Sequence, residues 1–168
     1  MSLQLEGRAR RLGGDVNSDY IIASRRKRET LDTAVLKQYL LEAVDPGFAA
    51  SVRPGDLLVA GRNFGCGSAM EIAVTVLQAA GIAAVLAESF ARSFYRNAIN
   101  NGLLPIRCDT TGISEGDRLG IVETDGATSI VNLTTGARIA GESLPPIMLA
   151  ILEAGGLVDY VKRQRGAR

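Results

Sequence analysis

The stretch Leu57-Leu58-Val59-Ala60-Gly61-Arg62-Asn63-Phe64-Gly65-Cys66-Gly67-Ser68-Ala69-Met70-Glu71 runs from four apolar residues, through a glycine-rich segment, into a helical pattern. The apolar run follows the turn Pro54-Gly55-Asp56 and reads as a short buried strand. From Ala69 to Ala80, residues Ile72, Ala73, Val76, Leu77 and Ala80 recur at helical spacing, and Gly81 is a stop signal. A strand, a tight loop and a helix in that order indicate an α/β fold.

The pattern repeats outward from there. Ile82 to Ala87 reads as a strand, Phe90 to Asn101 as a helix stopped by Gly102, and Leu103 to Ile106 as a third strand. Upstream, a strand precedes Gly13-Gly14, Tyr20-Ile21-Ile22 reads as another, and Thr33 to Val44 as a helix. That helix carries Leu36, Leu40, Ala43 and Val44 on one face and ends at Asp45-Pro46-Gly47. Downstream, Asp117 to Glu123, Ser129 to Leu133 and Ala137 to Ala140 read as strands separated by the hairpin signals Asp125-Gly126 and Thr135-Gly136. A last helix starts near Pro145, with Ile147, Met148, Ile151 and Leu152 as its stripe, and the basic tail Lys162 to Arg168 reads as frayed. The class is α/β with a β-rich C-terminal part, in one domain spanning residues 1–168.

Composition narrows the chemistry. Nineteen basic residues against eighteen acidic leave a net charge of +1, which argues against a general nucleic-acid binder. Zero histidines remove Ser–His and Cys–His nucleophilic arrangements and the commonest metal ligand. The two cysteines, Cys66 and Cys108, do not make a disulfide scaffold, and their separation lacks iron–sulfur ligand spacing. Residues 1–14 contain no apolar run, and nothing approaches the roughly 20 apolar residues of a membrane span, which predicts a cytoplasmic location.

The glycines of the central loop permit backbone conformations closed to other residues and let a ligand approach the main chain. Ser68 and Glu71 have capping-box spacing, which places Ser68 at the helix N-cap. Free amides and the positive end of the helix dipole favour a carboxylate, a phosphate or a developing oxyanion. The residues alone leave two readings open: a joint that only turns the chain, or an anion site. A P-loop is disfavoured, since no Lys-Ser/Thr pair follows the last glycine.

Four segments carry a resemblance. Asn63-Phe64-Gly65-Cys66-Gly67-Ser68 followed by Glu71, and Ser89-Phe90-Ala91-Arg92-Ser93-Phe94-Tyr95-Arg96-Asn97-Ala98-Ile99-Asn100, resemble the signatures of isopropylmalate dehydratase small subunits. Asp15-Val16-Asn17-Ser18-Asp19-Tyr20-Ile21-Ile22 and Asp45-Pro46 with Phe48 are similar to further segments of that family. The resemblance implies an aconitase-type swivelling β/β/α domain. It also implies a larger partner subunit holding a [4Fe–4S] cluster, no cofactor or metal ligand in this chain, and a hydroxy-acid substrate of amino-acid (leucine) biosynthesis. By the same resemblance Ser68 is the catalytic base, Gly65 and Gly67 line the substrate site, and Cys66 is packing rather than a cluster ligand.

The chain also departs from that family. Ala69, Met70 and Ile72 stand where it has serine, arginine and histidine, which removes a charge-assisted contact from positions 69 and 70. Either the substrate differs at that point, with Met70 making an apolar contact, or the chain is a catalytically impaired paralogue serving as a binding or regulatory module. Arg25, in the block Arg25-Arg26-Lys27-Arg28, best fits a family arginine. By the resemblance, Arg26 and Lys27 fall in the loop that in that family contacts the variable part of the substrate, so charge there suggests an acidic or polar side group; a solvated charge run is the other reading. Arg92, Arg96 and Asn97 are read as bracing the fold or the subunit interface, and Asp19 as orienting the loop or stabilising a turn.

Overall fold

A computed structural model describes residues 2–124 and 126–166. Strand β1, Ser2–Arg11, is followed by four short helices: α1, Ser18–Ile21; α2, Ser24–Glu29; α3, Thr33–Leu36; and α4, Phe48–Ser51. The strand–helix core comprises β2, Leu57–Ala60; α5, Glu71–Ala79; β3, Ala84–Ala87; α6, Arg92–Asn100; and β4, Leu104–Arg107. Strands β5, Arg118–Thr124, β6, Ala127–Asn132, and β7, Arg138–Gly141, precede helices α7, Pro146–Ala154, and α8, Leu157–Gly166.

One seven-stranded sheet runs in the order β4-β3-β2-β1-β5-β6-β7. Strand β1 belongs to both halves: it is parallel to β2 through Ala9–Arg11 and antiparallel to β5 through the preceding residues. Where it passes from one partner to the other stands Gly7, and a Cβ there would meet the Gly55 carbonyl oxygen at 2.2 Å. Strands β2, β3 and β4 are parallel neighbours. β2 and β3 are buried on both faces, as covered parallel strands must be. Leu58, Ala60, Val85 and Ala87 pack with Leu36, Ala73, Val76 and Leu77 on one face; Leu57, Val59, Ala84 and Leu86 pack with Ile99, Ile151 and Leu152 on the other. In β5 and β6 burial alternates, with Leu119, Ile121 and Ile130 inward.

Four sequence expectations need correction. Tyr20-Ile21-Ile22 is not a strand: the Asn17 side chain accepts from the Asp19 N–H at 2.9 Å and starts a helical turn, with Ile21 and Ile22 buried beyond it. The helix expected over Thr33–Val44 stops at Leu36. A 3-10 turn at Lys37–Tyr39 follows, and Leu41 takes a left-handed φ of 56° that lets its N–H reach the Ile21 carbonyl. That turn buries Leu40 and Leu41 and leaves Ala43 and Val44 exposed. Lys162 to Gly166 belongs to α8, held by Arg163 on the Ala154 carbonyl; Ala167 and Arg168 lie outside the described residues, as does Asp125 of the β5–β6 turn. The fourth correction, at Ser68, belongs to the site.

Candidate functional site

Because β1, β2, β3 and β4 are parallel, the segments leaving them emerge at one edge of the sheet. Ligands of open α/β sheets bind at that carboxyl edge. The glycine loop after β2 lies there, beside the segment after β1. Gly61 N–H donates to the Gly13 carbonyl, Asp15 to Arg62, Gly65 to Val16, and Ser18 to Cys66, at 2.7–3.1 Å. A second clamp comes from beyond β3. Asn63 N–H donates to Ser89 Oγ at 2.7 Å, and Phe64 N–H donates to the Ser89 carbonyl, while the Phe64 carbonyl accepts from Ala91 N–H.

Side chains fix the loop from below. Phe64 is fully buried and meets Phe94 edge-on at 4.9 Å, with Phe90 stacked on Phe94 at 6.1 Å. Gly65, at φ 79°, lies so close to Phe94 that a Cβ would stand 2.3 Å from its ring. Gly67, at φ 88°, lies equally close to the Asn17 amide, 2.6 Å from a Cβ. Both glycines are required twice over, by backbone conformation and by contact. Gly65→Ala should therefore cost about 2–3 kcal/mol from left-handed strain and overpacking. Thermal unfolding should show a Tm lower by roughly 5–10 °C, and an unchanged Tm would contradict this packing.

The structure corrects the role of Ser68 as helix cap. The N-cap of α5 is Met70, in extended conformation, and no side chain caps the helix. The cause lies in Ser18, whose hydroxyl donates to the Ser68 carbonyl at 2.7 Å and ties the chain down three residues before α5 begins. Ser68 is exposed at the sheet edge, and among the described residues no hydrogen bond holds its hydroxyl. Ala69 is exposed beside it, and Met70 is half-buried. The uncapped first turn of α5 thus presents amides and a positive dipole end close to a free hydroxyl.

The basic block lies on α2 rather than on an open loop, and packing divides it. Arg26 stacks 3.7 Å over Tyr39 and holds Glu42 with two hydrogen bonds of 3.0 Å, so its guanidinium is committed to the fold. Hydrogen bonds from Arg26 and then Arg25 hold the Glu42 carboxyl below its ordinary pKa. Arg25 shares Glu42 at 3.2 Å but remains 65% exposed. Lys27 is different: its side chain is only 13% exposed, and its ammonium lies against Met70 Sδ and 3.4 Å from Asp19 Oδ1. Asp19 also accepts from Ser24 Oγ at 2.8 Å; that bond first, and Lys27 second, keep its carboxyl charged below the usual range. The structure therefore brings Gly65, Gly67, Ser68, Ala69, Met70 and Lys27 to one edge and turns Arg26 aside. Sequence reasoning missed the bracing roles of Asn17 and Ser18, although the short polar residues of Asn17-Ser18-Asp19 were a capping signal.

Among the described residues no three His, Cys, Asp or Glu side chains gather. Cys108 is buried, and burial pushes its thiol to about 12, which suits packing rather than ligation.

The aconitase C-terminal domain model matches residues 22–111, which span the block on α2, the glycine loop and α6. This chain belongs to that family. Within it, the isopropylmalate/citramalate isomerase small subunit of Methanocaldococcus jannaschii is 45% identical over 95% of both chains. The methanogen homoaconitase small subunit of Methanothermobacter thermautotrophicus is 45% identical over 93% of this chain and 89% of its own. The crystal structure of a 3-isopropylmalate dehydratase from Methanocaldococcus jannaschii superposes with a TM-score of 0.90 at 42% identity, covering 97% of this chain and 96% of that one. The seven-stranded mixed sheet is thus the aconitase-type small-subunit fold.

Proposed function

We propose that this chain is the small subunit of an aconitase-type hydro-lyase, one swivelling domain that closes over a large subunit and acts on a hydroxy di- or tricarboxylic acid. The observation that carries the reading is the free, exposed hydroxyl of Ser68 beside the uncapped first turn of α5. Ser68 is the base that removes the proton α to a substrate carboxylate. A serine hydroxyl is inert alone, and the helix dipole and main-chain amides lower the cost of its developing negative charge. The [4Fe–4S] cluster is assigned to the large subunit, where an open iron supplies Lewis-acid chemistry at the substrate hydroxyl.

Gly65 and Gly67 fold the loop tightly onto Phe94 and Asn17 and so set Ser68 at the sheet edge, and Ala69 and Met70 form the wall beside Ser68. Lys27 offers a cation at that wall, and Arg25 a second, exposed one on α2. A polar or acidic side group on the substrate suits this arrangement better than a purely apolar one. Retention of Ser68 within an intact glycine loop favours an altered substrate over a lost activity. The relatives' names span isopropylmalate, citramalate and homoaconitate chemistry, consistent with a site whose specificity is adjustable.

The test is reconstitution with an iron–sulfur large subunit of the same source and a screen of 2- and 3-hydroxy diacids for the enoic acid product. Turnover by the complex but not by the isolated chain is expected. A complex that turns over none of them would favour the binding or regulatory module. In the active complex, Lys27→Leu should lower kcat/KM for the preferred acid by about 10- to 100-fold, the worth of one charge-assisted hydrogen bond. The double change Lys27→Leu with Met70→Arg should move preference toward isopropylmalate, since arginine at position 70 no longer meets the Lys27 ammonium. An unaltered order of kcat/KM values would refute the role of that wall.

A further inference from the structure

On the far side of α6 from the glycine loop, a cleft of about 370 Å³ opens between α6, the end of β4 and α7. Arg92 and Arg96 stand one helical turn apart on its rim, both exposed, and Arg107 closes it from β4. Ile99, Met148 and Ile151 form its apolar floor, and Ile147 at its mouth is 51% exposed.

Two of the three charges of this cleft have no partner among the described residues. Among the described residues neither Arg92 nor Arg96 has an ion pair or a side-chain hydrogen bond, and like charges at this spacing repel. Arg107 lies 5.0 Å over the Tyr95 ring and reaches Glu142 at 3.3 Å, yet its buried Nε has no hydrogen-bond partner. Arg92 and Arg96 are thus open to an anion from outside. The neighbouring surface says what kind. Arg107 also borders a second cleft whose other walls include Glu88, Asp109 and Glu142, so a cationic groove and an acidic one lie side by side. A free small anion complements only half of this pattern, whereas a protein surface can complement both. The groove also runs to the sheet edge that carries Ser68, because Arg92 begins α6 and Arg107 ends β4 at that edge.

We infer that this groove is a docking site for the large subunit, occupied by a segment presenting a carboxylate to Arg92, Arg96 and Arg107 and an apolar side chain to Ile147 and Met148. The inference rests on the two-subunit reading above and names the surface through which it is realised. It places the anchor beside the loop, so that association and closure of the site involve the same edge.

The experiment titrates the full-length variant Arg92→Glu/Arg96→Glu onto the purified iron–sulfur large subunit and measures Kd, its salt dependence and kcat at saturation. Association weakened at least 30-fold, with a flatter salt dependence and kcat within about twofold of wild type, is expected. Arg92→Gln/Arg96→Gln should weaken it less, and decides the matter if the charge reversal fails to fold. A Kd equal to wild type in either folded variant overturns the inference while leaving the proposed function standing. A wild-type chain that does not associate at all overturns both. An unchanged Kd together with a Tm raised by citrate or inorganic phosphate in wild type but not in the variant marks a small-anion site, which also overturns it.

Discussion

Replacing Ser68 by alanine should lower kcat of the reconstituted complex by roughly 10²–10⁴-fold, the contribution of a positioned base, while the Kd for the large subunit stays unchanged. The change removes one exposed oxygen and no contact that holds the loop, because Ser68 is fixed through its carbonyl by Ser18 rather than through its side chain. Folding and assembly are therefore insulated from the substitution. Steady-state turnover at saturating large subunit checks it, with far-UV circular dichroism as the control. Ser68→Ala protein that retains full turnover would remove Ser68 from the chemistry and leave only an anion-binding loop.

Asp56→Ala should have the largest effect on stability, about 3–4 kcal/mol, because a buried carboxylate that accepts two charge-assisted bonds and one backbone bond is lost. Asp56 joins β1 to the turn before β2. It accepts from Arg8 at 3.0 and 2.7 Å and from the Arg53 N–H at 2.8 Å, and it lies 3.5 Å from Arg10. The Asp56 side chain is 4% exposed, so removing it leaves Arg8 and the Arg53 N–H without that acceptor, while Arg10, over Phe48, keeps Glu115 Oε1 and Ser51 Oγ at 2.8 Å. Tm should fall by roughly 8–15 °C, and a loss under about 1 kcal/mol would contradict this account. The same group predicts the acid limb of stability. Burial pushes the Asp56 carboxyl up, but the Arg8 hydrogen bonds and the Arg53 amide outweigh it and hold the pKa below its ordinary value of 3.8. Its stabilisation is complete above the unfolded-chain pKa of about 4 and is lost as pH falls through the lower folded value. Urea midpoints of wild type should drop below about pH 4, and those of the alanine variant should drop less.

Residues 57–107 were legible almost element by element in the sequence. Strands β2 and β3 are uninterrupted apolar runs, and Gly81 and Gly102 mark where each helix must stop. The segment from Tyr20 to Val44 was not, because its apolar residues serve turns rather than periodic faces. Ile21 and Ile22 are buried from a helical turn, and Leu40 and Leu41 from a left-handed one. The residues of the glycine loop left a turning joint and an anion site both open, and only the family resemblance favoured the site. What holds it could not: Phe94 under Gly65 and Asn17 against Gly67 are tertiary contacts with no local pattern. The four cations from Arg25 to Arg28 look alike in sequence. Only packing separates Arg26, spent on Glu42 and Tyr39, from Lys27, turned toward Met70.

The position of β1 sets the order in which the molecule can be completed. It lies between β2 and β5, and its antiparallel register pairs Leu3 with Glu123 and Leu5 with Ile121. During synthesis β1 waits for both neighbours, since β2 begins at Leu57 and β5, which directly follows β4, only at Arg118. Until then the flank of β1 that pairs with β5 carries open amide and carbonyl groups. Such distant pairing makes closure slow, and that flank is where a stalled nascent chain would meet another copy of itself and aggregate.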